Sequence, residues 1–581
     1  MTAFGDIHFV SRSGSRWFRD PVAVCAAERL EEVAPCLEAV AEHVANGRYA
    51  AGFLAYEAAP AFDKALRCHA ASALPLAWFA IYSEPVDAPA CDEDSFAVGS
   101  WEASLSRDAY VERVQRLRAL IAAGDTYQVN FTFPLRATFQ GSAHAWFRAL
   151  CNAQPTQHAA FLDLGRHQIV SVSPELFFER EGNTLRVRPM KGTASRGRFP
   201  EEDEVHARAL AASDKNRSEN VMIVDLLRND LGRISETGSV RVERLFDVER
   251  YPTLWQMTST IACESRASVP EIFAALFPSG SVTGAPKVRT MEIIREFEDG
   301  PRGVYCGAIG YWEPSGRAAF NVAIRTATVD TETGAVEYPV GSGITWDSAP
   351  DGEYEECLAK AAVLTANRPE FSLLESIRYE GGYFLLDRHL DRLAASARYF
   401  GFACDIAALR AALDVAARDF IDVPLKVRLL VDRDGCYRIE SAPAPVAESI
   451  RVGLARTPVN SNDIFLFHKT THRTTYETAR ASRPDCDEVL LWNEHGEITE
   501  STTANVVVEL DGRMITPPVS CGLLAGTFRA ELLARGEIAE GVITVDDLAR
   551  CSAIHLVNSV RRWIPVGFIA HTESETETVA G

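Results

Sequence analysis

The chain has 581 residues, 47% hydrophobic and 24% charged, which is too long for one ordinary core and too apolar for a disordered or fibrous protein. A formal net charge of −21 without any run of Lys/Arg argues against nucleic acid or a membrane surface as partner, so a small anionic substrate needs a local positive cluster. Thirteen cysteines without Cys-x-x-Cys spacing suggest neither a disulfide framework nor a zinc site, and the lack of a leader pattern or of ~18 uninterrupted apolar residues favours a cytoplasmic setting.

Residues 1 to about 100 mix short strands, at 50–56 and 76–82, with an amphipathic helix near 26–46, and end in an acidic loop over 85–95. From 106 to 124 apolar residues recur at helical spacing (Tyr110, Val114, Leu117, Leu120, Ile121), and Gly124 ends the helix. Strands are predicted at 126–135, 159–164, 168–173 and 185–190, followed by a charged loop around 195–204. Residues 218–231 read as a buried helix, apolar nearly all round, and 351–366 as a helix that stops before Pro369. The domain boundary falls at 367–370. Beyond it the pattern restarts with a strand, a turn at Gly381-Gly382, a strand and a helix over 387–400, and continues to about 570. The tail 571–581 is acidic and too poor in apolar surface to order itself.

Of 59 basic residues only seven are lysine: Lys64, Lys191, Lys215, Lys287, Lys360, Lys426 and Lys469. In a chain that uses arginine for generic positive charge, a retained lysine marks a place where an amine is needed, because guanidinium neither attacks carbon nor forms a Schiff base. Glu353, Glu356 and Lys360 share one helical face, and Glu219 opens the apolar helix; clustered carboxylates of this kind suit Mg²⁺, against the alternative of a solvated acidic face. Gly280-Ser-Val-Thr-Gly-Ala-Pro-Lys287 is a Gly-rich turn entering a helix at 288–296, an anion cradle to which Lys287 adds charge. Phe320-Asn-Val-Ala-Ile-Arg325-Thr reads as a buried strand carrying one arginine, either a carboxylate clamp or half of a structural ion pair.

Gly124-Asp-Thr-Tyr-Gln-Val-Asn130, Ser173-Pro-Glu175, Arg188-Pro-Met-Lys-Gly-Thr193, Asp225-Leu-Leu-Arg-Asn-Asp-Leu-Gly232, Ser281-Val-Thr-Gly-Ala-Pro-Lys287 and Gly341-Ser-Gly-Ile344 occur in the order seen in the chorismate-utilising enzymes. That family includes anthranilate, aminodeoxychorismate, isochorismate and salicylate synthases, and the resemblance spans 106–367 within a first domain of 1–368. It implies an α+β fold of antiparallel sheets flanked by helices. It also implies Mg²⁺ on Glu219 and Glu356, with Glu353 acting through water. The substrate-binding positions it suggests are Ser281, Gly284, Ala285, Lys287, Tyr305, Arg325 and Gly343. Gln128 stands where the water-adding members place a lysine, which favours ammonia as the nucleophile. Lys191 stands where anthranilate synthases carry alanine; in aminodeoxychorismate synthases this lysine attacks C2 of chorismate and expels the 4-hydroxyl. At an ordinary pKa only ~1 in 2,500 such amines is neutral at pH 7, a deficit of about 4.6 kcal/mol, which burial beside Arg188 or Arg196 and the metal is expected to reduce. Gln256 takes the place of a histidine tied to pyruvate elimination in anthranilate synthases, as fits an enzyme that stops at the non-aromatic amino product.

After residue 369 there are two lysines. Lys426 lies in an alternating strand beside Arg428 and is expected to be solvated; Lys469, in Phe467-His-Lys-Thr-Thr-His-Arg473, is the remaining amine. His389-Leu-Asp-Arg392-Leu, Lys469, Ile498-Thr-Glu500 with Ala504-Asn505, and Leu524-Ala-Gly-Thr527 resemble the fold-type IV pyridoxal-phosphate enzymes, the family of branched-chain aminotransferases and aminodeoxychorismate lyase. The resemblance implies a second domain, 369–570, of two α+β subdomains, which lacks the family's usual leading hairpin. Lys469 is then the Schiff-base lysine, Glu500 the partner of the pyridinium nitrogen, and Arg392, Gly526, Thr527 and Ser559 the phosphate-binding groups. Together the two resemblances imply amination of chorismate at C4 followed by loss of pyruvate to 4-aminobenzoate, for folate biosynthesis. The alternatives are a class IV transaminase of other specificity, or a docking platform, as the second half. No Gly-x-Cys-x-Gly nucleophile turn occurs, so a separate glutamine amidotransferase is the expected ammonia source.

Overall fold

The computed structural model describes residues 4–11, 14–71, 73–87, 94–364, 369–420, 423–446 and 448–568. The expected tail and residues 367–368 of the expected boundary segment lie outside these residues. The fold is α+β. Two compact units are present, the first comprising Met1–Ser195 and His206–Arg368, the second Arg196–Val205 and Pro369–Gly581. No helix of the described residues is long and apolar enough to cross a membrane.

The first unit is built on two ten-stranded sheets, antiparallel in their pairings. In one, the long strand Gln128–Gly141 pairs through Val129–Thr138 with all of Ala335–Ile344, and its inward residues Val129, Phe131 and Phe133 are buried, as period-2 alternation requires. Helix Arg107–Ala122 covers this sheet: Ser106 caps it by accepting from the Ala109 N–H at 3.3 Å, and Tyr110, Val114 and Leu117 form its buried stripe. The second sheet holds Leu254–Glu264, Thr184–Arg188, Leu176–Glu181 and Ala318–Val322, with Phe178, Phe273 and Phe320 meeting edge-on in its core. Helix Asp214–Gly232 buries Ile223, Val224, Leu227 and Leu231 but exposes Asp225, Arg228 and Asn229. It is therefore amphipathic, not apolar all round: its polar residues fall at helical spacing on the face opposite the core.

The second unit combines a three-stranded antiparallel sheet (Leu373–Tyr379, Leu425–Val431, Tyr437–Pro443) with an eight-stranded mixed sheet. Helix Leu386–Phe400 packs Leu390, Leu393, Ala397 and Phe400 into the core of the small sheet and ends at Gly401, whose φ of +72° supplies the left-handed cap. The excursion Arg196–Val205 is organised by Arg196, which donates to both oxygens of Asp203 at 2.7 Å and stacks over Tyr399 at 4.3 Å, while the Tyr399 hydroxyl donates to Gly197 O at 2.8 Å. The sequence reading assigns this stretch, as a charged loop, to the first domain.

Candidate active sites

In the first unit a cavity of about 350 Å³ is lined by Lys191, Glu175, Glu219, Arg325, Tyr305 and Gln256, among others. Lys191, on strand Met190–Ser195, is recessed in its wall. Burial lowers its pKa and Lys360 acts in the same sense, while Glu219 and Glu175 oppose the shift. The arginines expected to depress it are engaged elsewhere: Arg188 pairs with Glu249, and Arg196 with Asp203. Glu175, quoted in a motif but assigned no role, is buried and accepts from the Ser281 hydroxyl at 2.6 Å. Burial pushes its carboxyl up to about 7, against the influence of Ser281 and Lys191. The signal that could have found it is its position: a carboxylate between Pro174 and the apolar strand Leu176–Glu181 must be buried with a partner or protonated.

Arg325 does not sit in a strand as expected. It falls between Ala318–Val322 and Thr326–Asp330 with φ +50°, and its buried Nη1 has no hydrogen-bond partner. A left-handed arginine whose guanidinium faces a cavity with an unmet donor is a place for an anion. Gly343 marks the closest approach in the wall: a Cβ there would lie 2.9 Å from Lys191 Nζ and 3.1 Å from Gln128 Nε2. Gln128 is fully buried, and neither end of its amide has a partner. Of the expected anion cradle, Ser281 and Val282 line the cavity, whereas Gly284, Ala285 and Lys287 do not. The Lys287 ammonium is committed to Asp230 at 3.1 Å and to Leu276 O at 3.2 Å.

Glu219, Glu353 and Glu356 share the cavity. The Glu219 carboxyl is raised by burial, with Lys191 and Lys215 opposing and Glu353 and Glu356 adding to the shift. Glu353 accepts from the Ser342 hydroxyl, and Glu356 pairs with Lys360 at 2.7 Å, whose ammonium also donates to Gly341 O at 2.9 Å. Among the described residues no set of three or more potential ligands is gathered closely enough to hold an ion unaided. The donor set is nonetheless three hard carboxylates around a space left for water and substrate oxygens, which fits Mg²⁺ chemically.

In the second unit Lys469 follows the turn Ile464–Leu466, and its carbonyl accepts from the Leu374 N–H at 2.9 Å. Burial and then Arg392 bring its amine down to about 8. Glu500 is buried and accepts from the Tyr476 hydroxyl at 2.8 Å, the Leu524 N–H at 3.1 Å and Asn505 at 3.2 Å; burial pushes it up to about 7. Arg392 grips Glu375 in bidentate fashion at 2.9 and 2.6 Å and donates to Ala525 O at 3.1 Å. Glu375 also meets His389 at 2.6 Å, and the far nitrogen of that ring meets the Thr527 hydroxyl at 3.2 Å. Burial would raise Glu375, but Arg392 and His389 bring it down to about 2. Glu375 belongs to no motif quoted above; its signal in the sequence is a lone carboxylate in the apolar strand Leu373–Tyr379.

Gly526 caps helix Thr527–Ala534, and a Cβ there would meet Asn505 Oδ1 at 1.9 Å, so the close approach needs glycine. Ser559 is buried and donates to Ser376 O at 3.2 Å. An amine, a buried carboxylate and a helix N-terminus with Arg392 beside it are the donor set that pyridoxal phosphate requires.

Lys426 is half-buried, not solvated. Burial lowers its pKa, and Arg428, Arg561 and Arg473 add to the shift. Arg428 pairs with Glu440, but among the described residues Lys426, Arg473 and Arg561 form no ion pair with a carboxylate. Arg473 donates to Thr502 O and stacks over Tyr476 at 4.5 Å, the ring whose hydroxyl donates to Glu500. Lys426, Arg473 and Arg561 thus gather partly buried positive charge in a chain of net charge −21, with Glu488 acting on Arg561 and Glu500 within the influence of Arg473.

Two families account for most of the chain. Residues 85–366 match the chorismate binding enzymes and residues 372–569 the class IV amino-transferases, so the chain carries a domain of each. An aminodeoxychorismate synthase of Streptomyces griseus is 42% identical over 299 residues, 50% of this chain and 41% of the relative. Aminodeoxychorismate synthase component 1 of Klebsiella aerogenes is 40% identical over 288 residues, 49% of this chain and 62% of the relative. The chain thus spans only about half the length of these relatives. The crystal structure of anthranilate synthase component I from Streptococcus pneumoniae aligns with a TM-score of 0.53 at 24% identity, covering 63% of this chain and 93% of that one, a likeness of fold.

Proposed function

We propose that this chain, which joins a chorismate-binding-enzyme domain to a class IV amino-transferase domain, converts chorismate and ammonia to 4-amino-4-deoxychorismate and then to 4-aminobenzoate and pyruvate. The observation that carries the reading is one per unit: an amine whose positive charge is disfavoured by burial, recessed beside a carboxylic acid whose pKa is pushed up to about 7.

In the first unit the unmet donor of Arg325 takes a substrate carboxylate. Neutral Lys191 attacks C2 as the ring double bond shifts and the C4–O bond breaks. Glu175, partly protonated at neutral pH with its carboxyl near 7 and beside Lys191, gives its proton in the acid form to the departing hydroxyl, so that water leaves. Ammonia then adds at C4, the double bond returns and the C2–N bond to Lys191 breaks. The buried Gln128 amide, aimed at the same spot as the Lys191 amine, offers a hydrogen bond to the incoming ammonia. Glu219 and Glu356 would hold Mg²⁺, with Glu353 acting through water; the ion would supply charge to anchor the second carboxylate. The ammonia source is a separate glutamine amidotransferase.

In the second unit Arg392, the N–H groups at Gly526–Thr527 and Ser559 would hold the phosphate of pyridoxal phosphate, and Glu500 its ring nitrogen. When bound, the cofactor supplies the electron sink for negative charge at C4. Lys469 takes the C4 proton, the enolpyruvyl C–O bond breaks, the ring becomes aromatic and the enol leaves as pyruvate. Lys426 and Arg561, linked to Lys469 through Arg473, would take the substrate's two carboxylates, which favours a dianionic ring over an ordinary amino acid and hence lyase over transaminase. Incubating purified protein with chorismate, ammonium and Mg²⁺ and identifying the product tests the whole reading. 4-Aminobenzoate is expected; anthranilate or salicylate refutes the first half. Failure to convert supplied aminodeoxychorismate refutes the second.

A further inference from the structure

We infer that Gln256 is a positioning residue for Lys191: its amide pins a bulge in the strand that carries the lysine and so fixes where the amine stands in the cavity. The inference rests on the proposed role of Lys191 in the synthase step.

Strand Met190–Ser195 pairs antiparallel with Leu254–Glu264, but the register slips between Met190↔Thr258 and Thr193↔Gln256. Two residues, Lys191 and Gly192, therefore oppose one, Met257, which is the geometry of a β-bulge. Gly192 has φ +96°, and a Cβ there would stand 3.0 Å from the Asn216 side chain, so both conformation and space call for glycine. In a regular strand successive side chains alternate faces, yet Met190, Lys191, Gly192 and Thr193 all line the cavity, which shows the bulge turning the chain toward it.

A bulge interrupts the ladder and leaves backbone groups to be satisfied by side chains. Gln256, nearly buried, meets that need from the partner strand: its Nε2 donates to Gly192 O at 2.8 Å and its Oε1 accepts from the Thr193 hydroxyl at 3.2 Å. One end of the amide must donate and the other accept. A carboxylate lacks the donor and a thioether offers only a weak acceptor, so neither reproduces the clamp. The amine it steers has little slack, since Lys191 Nζ lies against Gly343.

The test uses the full chain with Gln256→Met, close in volume and without a donor, and Gln256→Glu, which keeps the Thr193 contact, as the second variant should the first not fold. The expected result is a kcat for chorismate amination lowered roughly 10- to 100-fold with KM within about twofold, the loss that a displacement of order 1 Å from attack geometry produces. A second readout needs no turnover: competitive acetylation by acetic anhydride, quantified by mass spectrometry with exposed Lys64 as internal reference. Lys191 reactivity relative to Lys64 is expected to change at least severalfold, which a remote structural defect would not cause. Unchanged Lys191 labelling overturns the inference whatever the turnover. If labelling changes but the parent enzyme makes no aminated product, the clamp stands and the synthase reading falls.

Discussion

The two candidate sites set the same kind of group, a recessed lysine, in mixed electrostatic company led after burial by a carboxylate in the first and by an arginine in the second. Around Lys191 burial and Lys360 disfavour the cation, while Glu219 and Glu175 stabilise it. Around Lys469 burial is reinforced by Arg392 and Arg473 against Glu375 and Glu500, and the amine falls to about 8. The second amine is therefore preset for attack. The first depends on how its carboxylates are engaged: Glu356 by Lys360, Glu353 by Ser342, Glu175 by Ser281. A cation held by Glu219 would remove the leading charge that keeps Lys191 protonated, and would thereby couple metal binding to nucleophile activation in the first unit.

Replacing the two amines separately breaks the comparison most sharply. Lys191→Ala is expected to lower chorismate amination by ~10³-fold or more while leaving turnover of supplied aminodeoxychorismate unaltered, and Lys469→Ala to do the reverse. Assaying each half-reaction on each variant checks both. Glu175→Gln should cost roughly 10² to 10³ in kcat for amination. The parent's rate should also fall as pH rises through about 7, because the proton donor must be protonated, and this alkaline decline should be absent in the variant; a pH–rate profile decides. Glu356→Gln should raise the Mg²⁺ concentration needed for half-maximal amination by about 10-fold or more without touching the lyase step, as a metal titration would show. Lys426→Met should raise KM for aminodeoxychorismate about 10-fold at constant kcat, the value of one charge-assisted hydrogen bond, whereas a transaminase for ordinary amino acids would be indifferent. The mildest difference is in cofactor capture: the rate at which apoprotein takes up pyridoxal phosphate should rise with pH and be half-maximal near 8, not near the ordinary lysine value, when followed by absorbance.

Much of this protein was readable from residue order. Helix Arg107–Ala122 follows from Tyr110, Val114 and Leu117 at helical spacing, and the long strand after it from alternation, because amphipathic periodicity is local. The candidate amines followed from scarcity, since seven lysines among 59 basic residues leave few places to look. Tertiary structure decided what depends on neighbours distant in sequence. Lys426 looked solvated because its strand alternates, yet Arg473 and Arg561, dozens of residues later, surround it. Lys287 looked like part of an anion cradle, but Asp230 claims its charge. Arg325 looked like a strand residue, whereas its left-handed backbone lies between two strands of different sheets. Glu175 acquires its raised pKa only when folding buries it, and Glu375 its depressed one only when Arg392 and His389 are brought against it. Residue type and spacing fix which groups are present; desolvation and pairing, which exist only after the chain closes on itself, fix their charge.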